Sequence, residues 1–282
     1  MEGRPTLRAQ WLGKHLRDLR DAARLKLTDA AEHIQRDSAT VSRFERGLTP
    51  PRTPDVLELL NLYGVDDPVL RDGLEDLSRE IWRKGWWDGY KQHMAVQIID
   101  AAWLESRTER LRDFSTLVLP GLLQTPEYAE AIMRAADPDT PEERVQSRIE
   151  FRMRRQQVLT QDEPLPYRSI LDEATVHRAV GGAEVMRAQL QHLLDASDHP
   201  NVTIRVLPFA TGAPASPEGA FALFTMAEPF SDVAQINTEG GAIYLETPEA
   251  ERFDEAYTRL EQEALSAEDS RAFIKSRMEQ LE

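Results

Sequence analysis

The sequence contains no cysteine in its 282 residues. Disulfides, thiolate metal sites and a cysteine nucleophile are thereby excluded, and the chain suits a reducing compartment. It also lacks any apolar run near the length of a membrane span. The opening residues, M-E-G-R-P-T-L-R, carry no signal-peptide core. We therefore expect a cytoplasmic protein. Tandem repeats are missing. The six histidines, His15, His33, His93, His177, His192 and His199, form no metal-protease pair at helical spacing, and no G-x-S-x-G is present. The Gly-Gly pairs at 181–182 and 240–241 lack a phosphate-loop context and read as turns. The expectation is no metal, no cofactor and no catalytic activity.

Positive charge is also scarce. Lysine and arginine number 34 against 49 aspartates and glutamates, for a formal net charge of −15. The deficit is uneven. Residues 1–55 hold 11 basic and 8 acidic side chains, a net of +3, and the remaining residues carry −18. Charges more than roughly 8 Å apart are largely screened at physiological ionic strength. A basic end can therefore meet a polyanion locally, while the acidic remainder slows encounter and discourages non-specific binding.

What is present is ample apolar content, 41% of residues, and legible helix starts. Thr53-Pro54-Asp55, Thr125-Pro126-Glu127, Thr140-Pro141-Glu142 and Thr247-Pro248-Glu249 share one design: a capping hydroxyl, proline at N1 and an acid in the first turn. Asp67-Pro68 repeats it, and Ser266-Ala-Glu-Asp269 resembles a capping box. Residues 9–83 read as five helices, near 8–23, 26–34, 38–46, 54–63 and 68–83. Trp11, Leu12, Leu16, Leu19 and Ala23 form the seam of the first. Helices are predicted at 126–136 and 141–159, while 105–118 is ambiguous between helix and strand. From 165 the period falls to two: Val202, Ile204 and Val206 alternate with Thr203 and Arg205. Further strands are predicted at Tyr167–Leu171, Phe221–Met226, Val233–Asn237 and Ala242–Glu246, with helices at 184–195, 248–264 and 267–281. The predicted fold class is multidomain: an all-α five-helix domain over 1–83, then a larger α+β domain over 84–282.

Within the first domain, Lys26–Ile34 and Ser38–Arg46 are short helices joined by Gln35-Arg36-Asp37. That pattern matches a helix-turn-helix, whose second helix enters the major groove. Ser38, Ala39, Thr40, Ser42 and Arg43 fall at or near the exposed start of that helix, with Asp37 as its cap. Arg43 is long enough to fork onto guanine, and Ala39 or the Thr40 methyl suits a thymine methyl. Arg46 and Arg52, with Arg36 beside them, suit phosphates. The runs L-G-K-H-L-R-D-L-R-D-A-A-R-L, A-A-E-H-I and S-A-T-V-S-R-F-E-R-G-L-T-P-P resemble the Cro/repressor-like (XRE-type) family. The resemblance implies a structural ion pair between Arg20 and Glu45, which keeps that acid off the DNA. Two positions depart from the family. Leu27 stands where a phosphate-contacting glutamine is usual, and Gln35 where the turn glycine is usual.

The second region carries K-G-W-W-D-G-Y at 84–90, L-V-L-P-G-L-L-Q-T-P-E-Y-A at 117–129, V-G-G at 180–182 and N-V-T-I-R-V-L-P-F at 201–209. These resemble a C-terminal domain found behind such helix-turn-helices in actinobacterial, antitoxin-like regulators. The resemblance implies modulation by a very small partner protein encoded nearby. The residues themselves leave alternatives open. Trp86, Trp87 and Tyr90 suit a ligand pocket, a partner interface or ordinary core. Arg144, Arg148, Arg152, Arg154 and Arg155 suit an anion, an acidic partner or a solvated ion-paired face. Asp172, Glu173 and His177 suit acid–base work or, more simply, a helix start. The expected function is a transcriptional regulator that binds a two-fold operator in double-stranded DNA as a homodimer. A small-molecule-sensing repressor is the alternative, and an enzyme with a regulatory DNA domain the remoter one.

Overall fold

The computed structural model describes residues 5–90, 92–238 and 241–281. Gly240 of the second Gly-Gly pair lies outside the described residues. The chain divides into two compact units. One holds the residues up to Trp103 together with Glu228–Phe230, and the other holds Leu104–Ala227 with the residues from Ser231 onward. Residues 84–103, assigned to the second domain by the sequence, cluster with the first unit.

The first unit is helical: α1 (Leu7–Ala22), α2 (Leu27–His33), α3 (Ser38–Glu45), α4 (Thr53–Leu62) and α5 (Pro68–Trp82), then a 3₁₀ turn at Trp86–Tyr90 and α6 (Val96–Glu105), which runs through the junction. The predicted helices lie within two residues of these. The seam residues Trp11, Leu12 and Leu16 are buried with Val41, Phe44, Val56, Leu59, Leu60, Leu74 and Leu77. Two glycines set how closely α1 approaches α3. A Cβ on Gly13 would lie 2.4 Å from the Phe44 carbonyl oxygen. Gly47, just past α3, has φ +67°, and a Cβ there would meet the backbone of Gln10 at 2.7 Å. No side chain larger than hydrogen fits either position.

The threonine caps are realised unevenly. Thr125 accepts from Tyr128 N at 3.3 Å at the start of α7 (Pro126–Ala136). Thr53 instead accepts the Ser78 hydroxyl at 2.9 Å from α5, and Thr140 turns back to Asp137 at 2.6 Å. The helix predicted from residue 248 begins at Glu251. A threonine hydroxyl serves whichever partner tertiary packing presents, and helical capping is only one of them. Asp67 and Ser266 do cap their helices, at 2.9 and 3.0 Å.

The second unit is a six-stranded mixed sheet in the order β3-β2-β1-β4-β5-β6. Its strands are β1 (Thr108–Ser115), β2 (Tyr167–Asp172), β3 (Val202–Leu207), β4 (Phe221–Met226), β5 (Val233–Thr238) and β6 (Gly241–Glu246). The ambiguous segment at 105–118 is thus the central strand β1. β1, β2 and β3 are parallel and β4 to β6 are antiparallel. Crossovers between the parallel strands run through α7 and α8 (Glu142–Gln156), then α9 (Glu173–His177) and α10 (Ala183–Ala196); α11 (Glu251–Glu263) and α12 (Ala267–Glu279) follow β6.

The two faces of this sheet differ in chemistry. On one, Phe114, Ile170, Phe221, Leu223 and Ala234 pack against Tyr257 and Leu260 of α11, an ordinary apolar core. On the other, the register sets Ser169, Asp113, Ala222, Gln235 and Tyr244 side by side across five strands. The outer edge of β3 is covered, since Val206 N donates to Ser270 Oγ at 2.9 Å and Leu265 N donates to Val206 O at 2.9 Å. That leaves fewer unpaired edge groups to recruit another chain.

Candidate DNA-binding surface

α2 and α3 approach closely because Ala30 and Ala31 are both small and buried. The turn between them closes on α2: Gln35 N donates to Glu32 O at 3.1 Å and Arg36 N to Ala31 O at 2.9 Å. Gln35 has φ +55°, the left-handed conformation that glycine adopts freely. The turn geometry is therefore retained without the glycine, at a conformational cost.

α3 is set by its ends. Asp37 accepts from Thr40 N at 2.7 Å and from the Thr40 hydroxyl at 2.9 Å, which satisfies a free N–H of the first turn. Those bonds hold the Asp37 carboxyl below its usual range, the Thr40 hydroxyl contributing most. At the other end Arg20 grips Glu45: Nε donates to Oε1 at 2.6 Å and Nη2 to Oε2 at 2.9 Å. The two side chains are 10% and 6% exposed, so this is a buried bidentate pair. Arg20 Nη1 also reaches Leu25 O at 2.8 Å, tying α1 to the entry of α2. The hydrogen bond that Arg20 donates to Glu45 outweighs desolvation and raises the Arg20 pKa.

The remaining faces of α3 are polar and accessible. Ala39, Arg43 and Arg46 are exposed; Ser38, Thr40 and Ser42 are partly so. Arg43 Nη2 donates to Thr40 Oγ1 at 2.9 Å, and Arg46 Nε to Ser42 O at 3.1 Å. Asp37, Thr40 and Arg43 thus form a chain of hydrogen bonds along the first two turns. Arg52 is exposed and its guanidinium lies 3.7 Å from the Trp82 ring centroid, a cation–π contact that orders it. Arg36 pairs with Asp55 at 3.5 Å. Spacing alone indicated the arginines. The threonine relay and the tryptophan platform were not legible in it, since each depends on partners set by the fold.

The other sequence candidates lie elsewhere. Trp86 meets Trp87 and Tyr90 edge-on, with centroids 5.7 and 6.2 Å apart, so the three rings pack on one another in the 3₁₀ turn. Gly85 is required there, since a Cβ would meet the Trp87 ring at 2.3 Å. Asp172 caps α9 at 2.9 Å, while Glu173 accepts from Phe209 N at 2.7 Å and pairs with His177 at 3.1 Å. This trio is spent on local structure. No group of three or more metal-ligating side chains occurs among the described residues, and no helix there is long and apolar enough to cross a membrane.

A short, closely packed helix pair with an exposed, acid-poor face on its second helix defines a helix-turn-helix DNA-binding module, and a helix-turn-helix domain model matches residues 11–74. A second model, the domain of unknown function DUF5753, matches residues 98–276, and the chain belongs to that family. No curated protein and no solved structure matches the chain.

Proposed function

We propose that the protein is a sequence-specific transcriptional regulator of the Cro/repressor-like (XRE) kind, acting as a homodimer on a two-fold DNA site. α3 lies in the major groove. Ser38, Ala39, Thr40, Ser42 and Arg43 meet base edges, and Arg46 and Arg52 meet phosphates. One short module rarely gives enough affinity alone, which favours paired half-sites. The observation that carries this reading is the Arg20–Glu45 pair. It withdraws the one acid within α3 from the surface and leaves Arg43 and Arg46 exposed beside small polar residues. A polyanion meets no carboxylate within the helix itself.

For the second unit we propose engagement of a very small partner protein, without catalysis. Likeness of its motifs to actinobacterial antitoxin-like regulators supports this. Such a partner acts only by binding DNA-competent and DNA-incompetent states with different affinity. Gel-shift titration of a selected operator, with and without the product of the adjacent small gene, tests both halves. A partner that co-purifies and shifts operator affinity at least fivefold supports the reading. Unchanged affinity with saturating partner overturns it.

A further inference from the structure

Arg144 and Arg154 of α8 are exposed, but the other three arginines of the helix are not on a solvated face. Arg148, Arg152 and Arg155 recur at i, i+4 and i+7, and all three are partly buried. Among the described residues one carboxylate, that of Glu105, pairs with them. Glu105 accepts from Arg155 Nε at 2.9 Å and from Arg155 Nη2, which leaves Arg155 Nη1 uncommitted. Arg152 hydrogen-bonds instead to a neutral group, the Oε1 of Gln124. That amide is fixed by its own donation to Leu119 O at 2.6 Å, so it cannot turn away. Arg148 Nε is buried without an acceptor. Burial, then repulsion from Arg155, lowers the Arg152 pKa to about 10 against the opposing pull of Glu105. Half-buried guanidinium charge in excess of its carboxylates is costly unless a further anion joins it.

The geometry offers that anion a place. A point one bond out from the Gly121 Cα lies 3.7 Å from Arg152 Nη1 and 3.8 Å from Arg155 Nη1. Two guanidiniums thus converge on the open side of Gly121, where no side chain stands between them. An anion with two oxygens can place one on each. The site is built, since the loop beneath it is pinned from several directions. Gln156 Nε2 donates to Gly121 O at 3.0 Å and to Gln124 O at 2.7 Å, and Gln189 Nε2 donates to Leu123 O at 2.6 Å.

Arg155 also lies within electrostatic reach of Tyr167 and Tyr244, on the polar face of the sheet. Tyr167 donates to Asp113 Oδ1 at 2.5 Å and Ser115 to Asp113 Oδ2 at 2.9 Å. In the same row the Ser169 hydroxyl, in a residue 1% exposed, makes no hydrogen bond of good geometry. Ala222 leaves that row low between Asp113 and Gln235. A buried hydroxyl without a partner is rare in a finished core and marks a place where a ligand group or water is received.

We propose that the second unit binds a small organic oxyanion, a carboxylate or phosphate ester, with its charged group bridging Arg152 and Arg155 beside Gly121 and its polar body along the Ser169–Asp113–Gln235 row. The proposal is independent of DNA binding and of the partner protein. The test is thermal unfolding of the full chain, followed through the second unit's transition. Inorganic phosphate and succinate are the probes, each compared with sodium chloride at equal ionic strength. At a hundredfold excess over half-saturation, at least one probe is expected to raise that transition by about 5–10 °C, growing with the logarithm of its concentration. A rise with phosphate alone assigns a phosphate ester, a rise with succinate alone a carboxylate, and a rise with both a general oxyanion site. Arg152→Gln is expected to abolish the rise while unfolding no earlier than wild type without ligand, because it removes excess buried charge. Arg144→Gln, on the exposed face of α8, is expected to keep the rise. No rise with either probe beyond that of sodium chloride at equal ionic strength, or an equal rise in Arg152→Gln, overturns the proposal.

Discussion

Replacing Arg20 with alanine removes one partner of a buried bidentate pair and strands Glu45, whose side chain is only 6% exposed. Breaking such a pair costs about 3–5 kcal/mol, because the remaining charge loses its hydrogen bonds and gains no water. Arg20 also closes the α1–α2 corner through Leu25 O, and that bond is lost with it. Small domains are stable by only about 5–15 kcal/mol. In a unit of this size each kilocalorie moves the midpoint by about 4–8 °C, giving an expected loss of roughly 12–40 °C. The assay is simple, because all five tryptophans, Trp11, Trp82, Trp86, Trp87 and Trp103, lie in the first unit. Tryptophan fluorescence during heating therefore follows that unit. The double variant Arg20→Met with Glu45→Leu fills the same space with apolar atoms and is expected to regain most of the lost stability. A single variant melting within 3 °C of wild type (roughly the effect of under 1 kcal/mol), or a double variant no better than the single, would refute the energetic role given to the pair.

Gly13→Ala drives a methyl group into the Phe44 carbonyl at 2.4 Å, and the first unit is expected to lose several kilocalories, about 1–3 or more by overpacking, read by the same fluorescence melt. Thr40→Val deletes the hydroxyl linking Asp37 to Arg43 and is expected to weaken operator binding by about 1 kcal/mol, measured by fluorescence anisotropy, with the fold intact. Burial raises the Asp113 pKa to about 6 from its usual 3.8, against hydrogen bonds from Tyr167 and Ser115 that lower it. The native state therefore holds a proton that the unfolded chain has released, and stability falls as pH rises through that window. The decline from this group is about 3 kcal/mol, complete above pH 6 to 7. Asp113→Asn is expected to gain stability relative to wild type between pH 4 and pH 7.5 in urea titrations; parallel curves for the two proteins would dismiss the assignment.

Much of the helical unit was legible because its signals are local. The apolar seam from Trp11 to Leu16, the Asp37 cap and the Asp67-Pro68 start need only neighbours in sequence. The fate of Thr53 was not legible, because its partner, Ser78, is distant along the chain. β1 was ambiguous for a different reason. T-E-R-L-R-D-F-S reads as polar, yet it is central in the sheet and buries Asp113 and Ser115 on the face opposite Phe114. Charge in the middle of a strand normally argues against burial, and the hydrogen bonds from Tyr167 and Ser115 make sense of it. The arginines of α8 were visible as a cluster, but Glu105 and Gln124 were not visible as their partners. That stripe became interpretable only when the fold showed how few carboxylates face it. In α3 the residue types and their spacing already separated the buried Val41, Phe44 and Glu45 from the surface set.

The central claim is that α3 reads sequence in DNA, with Arg43 on a base. Selection of bound duplexes from random DNA by the full chain, run in parallel with Arg43→Ala, tests it most directly. Wild type is expected to enrich a two-fold motif. Arg43→Ala is expected to lose selectivity at one base pair in each half-site and about 1–3 kcal/mol of affinity per half-site. Failure of the wild-type chain to enrich any motif, or enrichment of the same motif with equal affinity by Arg43→Ala, would contradict the account.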